Sequence, residues 1–197
     1  MYIQRTSETE IRKYLKKREI IAIVGPRQCG KTTLLKRLFE GLPDAVFLDF
    51  EDRETVTLFT EDLSAFIELY VKPYKYLFID EFQYAQKGGQ ALKLIYDHHQ
   101  IKIVISGSSI SDLSIQGIKY LVGRIFVFHL YPFSFEEFLS YKDPKILAVF
   151  YRASAHTPPI MKRIFPYLNE FCRYGGYPRV VLASTNEEKE IVLRNIY

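Results

Sequence analysis

Residues Gly25-Pro26-Arg27-Gln28-Cys29-Gly30-Lys31-Thr32 spell G-x-x-x-x-G-K-T, a pattern that constrains the fold more than any other stretch of the chain. Glu19 to Val24 before it is a buried-strand run, and Thr32-Thr33-Leu34-Leu35-Lys36-Arg37-Leu38-Phe39 after it has helical spacing. Strand, glycine loop and helix in that order cradle phosphates. Gly25 and Gly30 let the backbone curl without Cβ clashes, so that successive N–H groups and the helix N-terminus converge on an anion. Lys31 adds a mobile positive charge for the β- and γ-oxygens of a triphosphate, and the Thr32 hydroxyl is a hard ligand suited to Mg²⁺. The whole loop, Gly25 to Thr33, is the predicted nucleotide contact.

A second run, Tyr76-Leu77-Phe78-Ile79-Asp80-Glu81, is apolar until it ends in two adjacent carboxylates. A central parallel strand delivers acids to its carboxyl edge in this way, and the run resembles a Walker B strand. Asp80 would support Mg²⁺, and Glu81 would be the base that polarises an attacking water. The pair of acids favours an ATPase over a P-loop kinase, which passes the phosphoryl group to an acceptor alcohol and often has no second acid there.

The chain has 197 residues, 48% of them hydrophobic and 15% aromatic, which suits one large α/β domain or a domain with a small lid. No apolar stretch reaches the length of a membrane span and the first residues do not form a signal peptide, so a cytoplasmic protein is expected. There are two cysteines, Cys29 and Cys172, the first inside the phosphate loop, which argues against a structural disulfide. The net charge is only +4. Basic residues gather between Arg12 and Arg18, whose spacing predicts a short amphipathic helix with a solvated face, and a nucleic-acid partner has no further support.

Strand and helix signals alternate at the pitch of a doubly wound sheet. Gly41 and Pro43 end the first helix. Ala45 to Phe50 reads as a second strand, with Asp49, Glu51 and Asp52 near the expected nucleotide crevice. Leu63 to Val71 and Ala91 to Tyr96 read as helices, Ile101 to Ser109 as a strand with a polar tip, and Ile125 to His129 as a fifth strand. Pro158-Pro159, within Ala155 to Ile160, reads as a hinge into the last helices.

The loop Gly25 to Thr33, the run Phe78-Ile79-Asp80-Glu81-Phe82-Gln83, the segment Ile105-Ser106-Gly107-Ser108-Ser109, and Leu121-Val122-Gly123-Arg124 followed by Leu130 to Phe138 together resemble a prokaryotic AAA-type P-loop ATPase family. Its members are related to archaeal and STAND-type NTPases. The resemblance implies a three-layer α/β/α fold with a parallel five-stranded sheet of order 5-1-4-3-2 and a small C-terminal helical lid. It divides the chain into an N-terminal helical segment (1–18), an ATPase core (19–140) and a lid (141–197). It implies ATP or ADP with Mg²⁺ as ligands, Thr32 and Asp80 at the metal, and Lys31 and Glu81 in catalysis. Ser106 or Ser108 would be the sensor of the γ-phosphate, and Arg124 an arginine acting in cis or across a subunit interface. Gln83 either orients water or ends the strand. In the family, the segment Phe171 to Val181 and a later helix, here Glu187 to Tyr197, lead into a winged-helix-like element and a nuclease-like domain of unknown function. A sequence ending at Tyr197 in mid-helix is expected to be a trimmed chain or a short member without that effector.

Other features take plainer readings. His98-His99 beside Asp97 has a metal-like composition, yet adjacent helical positions face apart. Tyr131, Phe133, Phe135 and Phe138 read as core packing between sheet and lid. Cys29 is a small apolar filler whose place among loop amides predicts that a bulky thiol reagent blocks nucleotide binding. The expected function is an Mg²⁺-dependent ATPase, slow in isolation, that drives a conformational switch. Its rivals are a nucleotide-holding switch without turnover, a P-loop kinase with a small acceptor, and a nucleic-acid-stimulated motor.

Overall fold

The computed structural model describes residues 2–86, 88–108, 118–152 and 157–196. Two compact units divide the chain: a sheet unit of Ser7–Arg27 and Lys31–Leu130, and a helical unit of Met1–Thr6, Gln28–Gly30 and Tyr131–Tyr197.

In the sheet unit, β1 (Ile20–Val24), β2 (Ala45–Asp49), β3 (Tyr76–Asp80), β4 (Lys102–Gly107) and β5 (Ile125–His129) form one sheet of order β2-β3-β4-β1-β5. Every pairing is parallel, and the order is the expected 5-1-4-3-2 read from the other edge. The central strands are covered on both faces, as continuous apolar runs require: Ile20 to Val24 and Lys102 to Gly107 are buried throughout. The chain leaves β1 for β2 on one side and leaves β4 for β5 on the other. The carboxyl ends of β1 and β4 therefore form the topological switch point where α/β sheets bind ligands.

Helix α1 (Thr6–Tyr14) starts earlier than the basic cluster suggests, because Ile11 is fully buried while Lys16 to Arg18 have left the helix. Helix α2 (Lys31–Phe39) follows the phosphate loop and stops at Gly41, whose φ of +80° suits only glycine at low cost. Helix α3 (Arg53–Glu61) was not foreseen. Asp52 is its N-cap, accepting from the Glu54 amide at 3.2 Å and the Thr55 hydroxyl at 2.6 Å, and Asp49 accepts from the Glu51 amide at 2.9 Å. These acids thus shape the turn after β2. The helix expected from Leu63 to Val71 is an α-turn, α4 (Leu63–Phe66), continued by a π-turn over Ile67–Val71. Helix α5 (Gly88–His98) covers the sheet after β3. Ser109 lies outside the described residues.

Lys102 opens β4 with its side chain buried. Its ammonium donates to the Tyr14 and Lys17 carbonyls at 2.9 and 3.0 Å and to the Glu19 carbonyl. It thereby fastens the connection between α1 and β1, where the Lys17 and Glu19 carbonyls lie outside regular structure. Burial lowers the pKa of this ammonium to about 8, with the Glu19 carboxylate opposing part of that shift.

The helical unit contains α6 (Phe135–Lys142), α7 (Pro144–Arg152), α8 (Pro158–Tyr174), α9 (Pro178–Leu182) and α10 (Asn186–Arg194). Pro158 and Pro159 open α8 rather than forming a hinge, since a proline in the first helical turn forfeits no hydrogen bond; Ala155 and His156 lie outside the described residues, as does Tyr197. Phe133 and Phe138 pack with Ile3 and Val181 inside this unit, flanked by Phe135 and Phe171. Tyr131 departs from the expected packing because its ring is exposed. Among the described residues no helix is long and apolar enough to cross a membrane.

Candidate nucleotide site

The phosphate loop leaves β1 at the switch point, where the Gly25 amide donates to the Gly107 carbonyl at 3.4 Å. Two loop residues have left-handed backbones, Gln28 with φ +63° and Gly30 with φ +99°. For glycine this is free, whereas for Gln28 it costs about 1–2 kcal/mol. Lys31 is the first residue of α2 and is buried, and its ammonium donates to the Gly25 and Pro26 carbonyls at 3.1 and 3.0 Å. A point charge is thus held within the curl of the loop, and an ammonium has three protons to donate.

Cys29 is 0% exposed, whereas Cys172 is exposed, and neither is in a disulfide. The expectation that a bulky reagent blocks the loop is therefore corrected, because the reagent cannot reach the sulfur. In native protein, maleimide is expected to label Cys172 alone, and mass spectrometry showing Cys29 labelled at the same rate would contradict the buried loop.

Asp80 ends β3 beside β4, and Glu81 follows it. Asp80 is 1% exposed and accepts from the Ser106 hydroxyl and from the Glu81 amide, the latter at 3.1 Å. Ser106 is wholly buried, so its hydroxyl orients the carboxylate. Glu81 has φ +52°, a second left-handed non-glycine residue, which turns the chain sharply after the strand. Its carboxylate accepts from the Gln83 amide group, and the Gln83 side-chain oxygen accepts from the Ser108 N–H at 3.3 Å. The tips of β3 and β4 are thus linked through Gln83. Phe82 anchors this turn in the core beside Phe50 and Phe59. Gly88 lets α5 start close by, for a Cβ there would lie 2.8 Å from the Phe82 ring and 3.1 Å from Phe59.

The donor set suits a phosphate-borne Mg²⁺. Among the described residues no group of three or more His, Cys, Asp or Glu could hold a metal by itself. Thr32 and Asp80 offer hard oxygens of the kind Mg²⁺ takes from protein when phosphates and waters complete its shell.

Arg124 is not brought to this edge. Its carbonyl accepts from the Ile20 amide at 2.8 Å, which places it at the amino end of β1 and β5. The loop begins a strand length away, about 15 Å at ~3.3 Å per residue. Its guanidinium donates to both carboxylate oxygens of Asp97, at 2.9 and 3.4 Å, and this holds the Asp97 carboxyl below its ordinary range. The in cis role is corrected accordingly. Two residues escaped the sequence reading, Arg5 and Glu137. Ser134-x-x-Glu137 is a legible capping-box pattern at the start of α6, and the structure contains that box.

Residues 17–139 match a family model described as an AAA domain, which is more than half of the chain. The chain belongs to the AAA domain family. Nucleotide binding and hydrolysis are the general chemistry of this domain. An uncharacterized protein of Methanocaldococcus jannaschii is 28% identical to this AAA chain over 181 residues, covering 89% of the chain and 39% of that protein. One from Haemophilus influenzae is 27% identical over 191 residues, covering 90% and 44%. The chain thus spans about two-fifths of the length of these curated relatives. Among solved structures, a Walker-type ATPase of Pyrococcus abyssi aligns with a TM-score of 0.55 at 14% identity, covering 99% of this chain and 73% of that one. The Aeropyrum pernix ORC2 protein in its ADP form aligns at 0.53 with 17% identity, covering 76% and 53%. At these identities the likeness concerns the fold.

Proposed function

We propose that this AAA domain is an Mg²⁺-dependent ATPase whose hydrolysis drives a conformational switch. The supporting observation is the pair Asp80–Glu81 at the carboxyl end of β3, with Asp80 oriented by Ser106 on the strand beside the phosphate loop. In this reading the loop amides from Gly25 to Thr33 and Lys31 bind the triphosphate, Thr32 and Asp80 support the metal, and Glu81 takes the proton of the attacking water. Held there by Thr32 and Asp80, Mg²⁺ would supply charge neutralisation on the triphosphate. Ser106 orients Asp80, and Ser108, at the tip of β4, is the remaining sensor.

One observation favours a second reading, a domain that holds nucleotide with little turnover. Gln83 already holds Oε2 of the Glu81 carboxylate, so the base must act through its other oxygen or from the orientation that this bond imposes. Arg124 could serve a second copy of the chain only if Asp97 released it. An effector beyond this AAA domain, a homo-oligomer and a cytoplasmic setting belong to the same proposal. So does a division into helical segment, core and lid at residues 18 and 140.

The test is ATP affinity and turnover, each with Mg²⁺ and with a chelator, for wild type and Lys31→Ala. Wild type should turn over ATP only with Mg²⁺. Lys31→Ala should weaken ATP binding by about ten- to a hundredfold, the loss of charge-assisted bonds worth roughly 1.5–3 kcal/mol. Binding without turnover would select the second reading, and no binding at millimolar ATP would refute both.

A further inference from the structure

Arg5 carries a concentration of buried bonds that the reading above does not use. It is 5% exposed within the helical unit, and each part of its guanidinium is engaged. Nη1 donates to the Cys29 carbonyl at 2.9 Å, Nη2 to the Tyr131 carbonyl, and Nε to Glu137 Oε1 at 3.3 Å. The Phe133 ring lies beneath it, with 4.6 Å from Cζ to the ring centroid. Glu137 is equally committed: Oε1 also accepts from the Thr6 amide and hydroxyl, both at 2.7 Å, and Oε2 accepts from the Ser134 amide at 3.0 Å. Burial pushes the Glu137 carboxyl up, but these hydrogen bonds and the Arg5 charge bring it below its ordinary range, so the pair is ionised at neutral pH.

The Cys29 carbonyl is the informative partner, because it belongs to the peptide that carries the Gly30 N–H. A trans peptide is planar, with its C=O and N–H pointing in opposite directions. Pinning the carbonyl on Arg5 therefore fixes the Gly30 N–H away from Arg5. Gly30 itself is packed against this arginine: a Cβ there would lie 3.6 Å from Nη1 and 3.7 Å from Pro178, at the start of α9. The neighbouring Gln28 is in a left-handed conformation that an unrestrained glutamine avoids. Such conformations persist where surrounding structure over-determines them. The fork of Arg5, itself fixed by Glu137, supplies that constraint at the tip of the loop.

We propose that Arg5 is a positioning residue for nucleotide binding, which holds the Cys29 carbonyl so that the Gly30 amide is presented to the phosphates, with Glu137 as its anchor. This rests on the reading of the loop as a nucleoside triphosphate site. Lysine cannot replace the residue, since a single ammonium has no planar fork to span the Cys29 and Tyr131 carbonyls and Glu137 together.

The experiment measures ATP and ADP affinity and turnover for wild type, Arg5→Lys, Glu137→Gln and the control Lys189→Met, with folding checked by circular dichroism. Lys189 is buried in the same unit and pairs with Glu170 at 2.7 Å, so its loss disturbs that unit's ion pairing away from the loop. Arg5→Lys should bind both nucleotides about tenfold more weakly, about 1.4 kcal/mol, with turnover at saturation changed less than threefold. Glu137→Gln should lose at least threefold in affinity, and Lys189→Met should stay within twofold of wild type. A folded Arg5→Lys with wild-type affinity would overturn the proposal. Equal losses in Arg5→Lys and Lys189→Met would also overturn it, by showing general loosening of the unit. If Arg5→Lys does not fold, Glu137→Gln decides, and unchanged affinity there overturns the proposal. Absence of nucleotide binding by wild type would instead refute the reading of the loop.

Discussion

Glu81→Gln should lower ATP turnover by about a hundredfold or more while leaving ATP affinity within a few-fold of wild type. Removing a general base costs roughly 10²–10⁴ in rate, and glutamine keeps the shape of the side chain without its ability to take a proton. The left-handed backbone at Glu81, φ +52°, strains either residue alike, so the substitution leaves the turn where it is. Asp80 keeps its bond from Ser106, and the Glu81 peptide N–H still donates to Asp80 at 3.1 Å. Binding should therefore survive. Single-turnover kinetics beside equilibrium binding on the same samples decide the matter. Parallel loss of both would mean that Glu81 holds the site together, and unchanged turnover would move the base elsewhere.

The parts of this site that were legible in the sequence are those built from adjacent residues. The loop from Gly25 to Thr32 and the Asp80–Glu81 pair announce themselves because strand, loop and acids follow one another along the chain, and the sheet order accompanies the family that they indicate. Helix α3 was hidden because Asp52 reads as a crevice acid when isolated, whereas its oxygens cap the helix after β2. The motif at Gly123-Arg124 was visible, but its place at the amino edge follows only from the register of β5 against β1. Similarly, the pattern at Ser106 and Ser108 could not show which hydroxyl is consumed by Asp80. Arg5 and Glu137 are 132 residues apart, a separation at which no local pattern records a partnership. The capping box discloses why Glu137 starts α6, but it is silent about the arginine that shares the same carboxylate.

Gly176→Ala should destabilise the helical unit by about 4 kcal/mol or more, among the larger effects of any single substitution. A Cβ at this position would lie 2.1 Å from the Phe133 carbonyl oxygen, 3.0 Å from its carbon and 3.1 Å from its nitrogen. All three atoms are backbone, so no rotamer change can relieve the overlap. The close approach is also bonded, since the Phe133 amide donates to the Gly176 carbonyl at 2.7 Å. Gly175, one residue earlier, provides an internal contrast. Its φ of +73° with ψ −169° is a backbone region all but reserved for glycine, yet a Cβ there meets nothing within 4 Å, so Gly175→Ala should cost about 1–3 kcal/mol, from backbone strain alone. At roughly 2–4 °C per kcal/mol for a chain of this size, the two substitutions should be separated by several degrees in melting temperature. The clash also bears on the loop, because the ring of Phe133 is the surface on which Arg5 rests, and Arg5 holds Cys29. Folded Gly176→Ala should accordingly bind ADP more weakly than Gly175→Ala at a temperature where both are native. Equal melting temperatures for the two variants would mean that the backbone at Phe133 yields at little cost, and that Arg5 has a less rigid platform than its packing indicates.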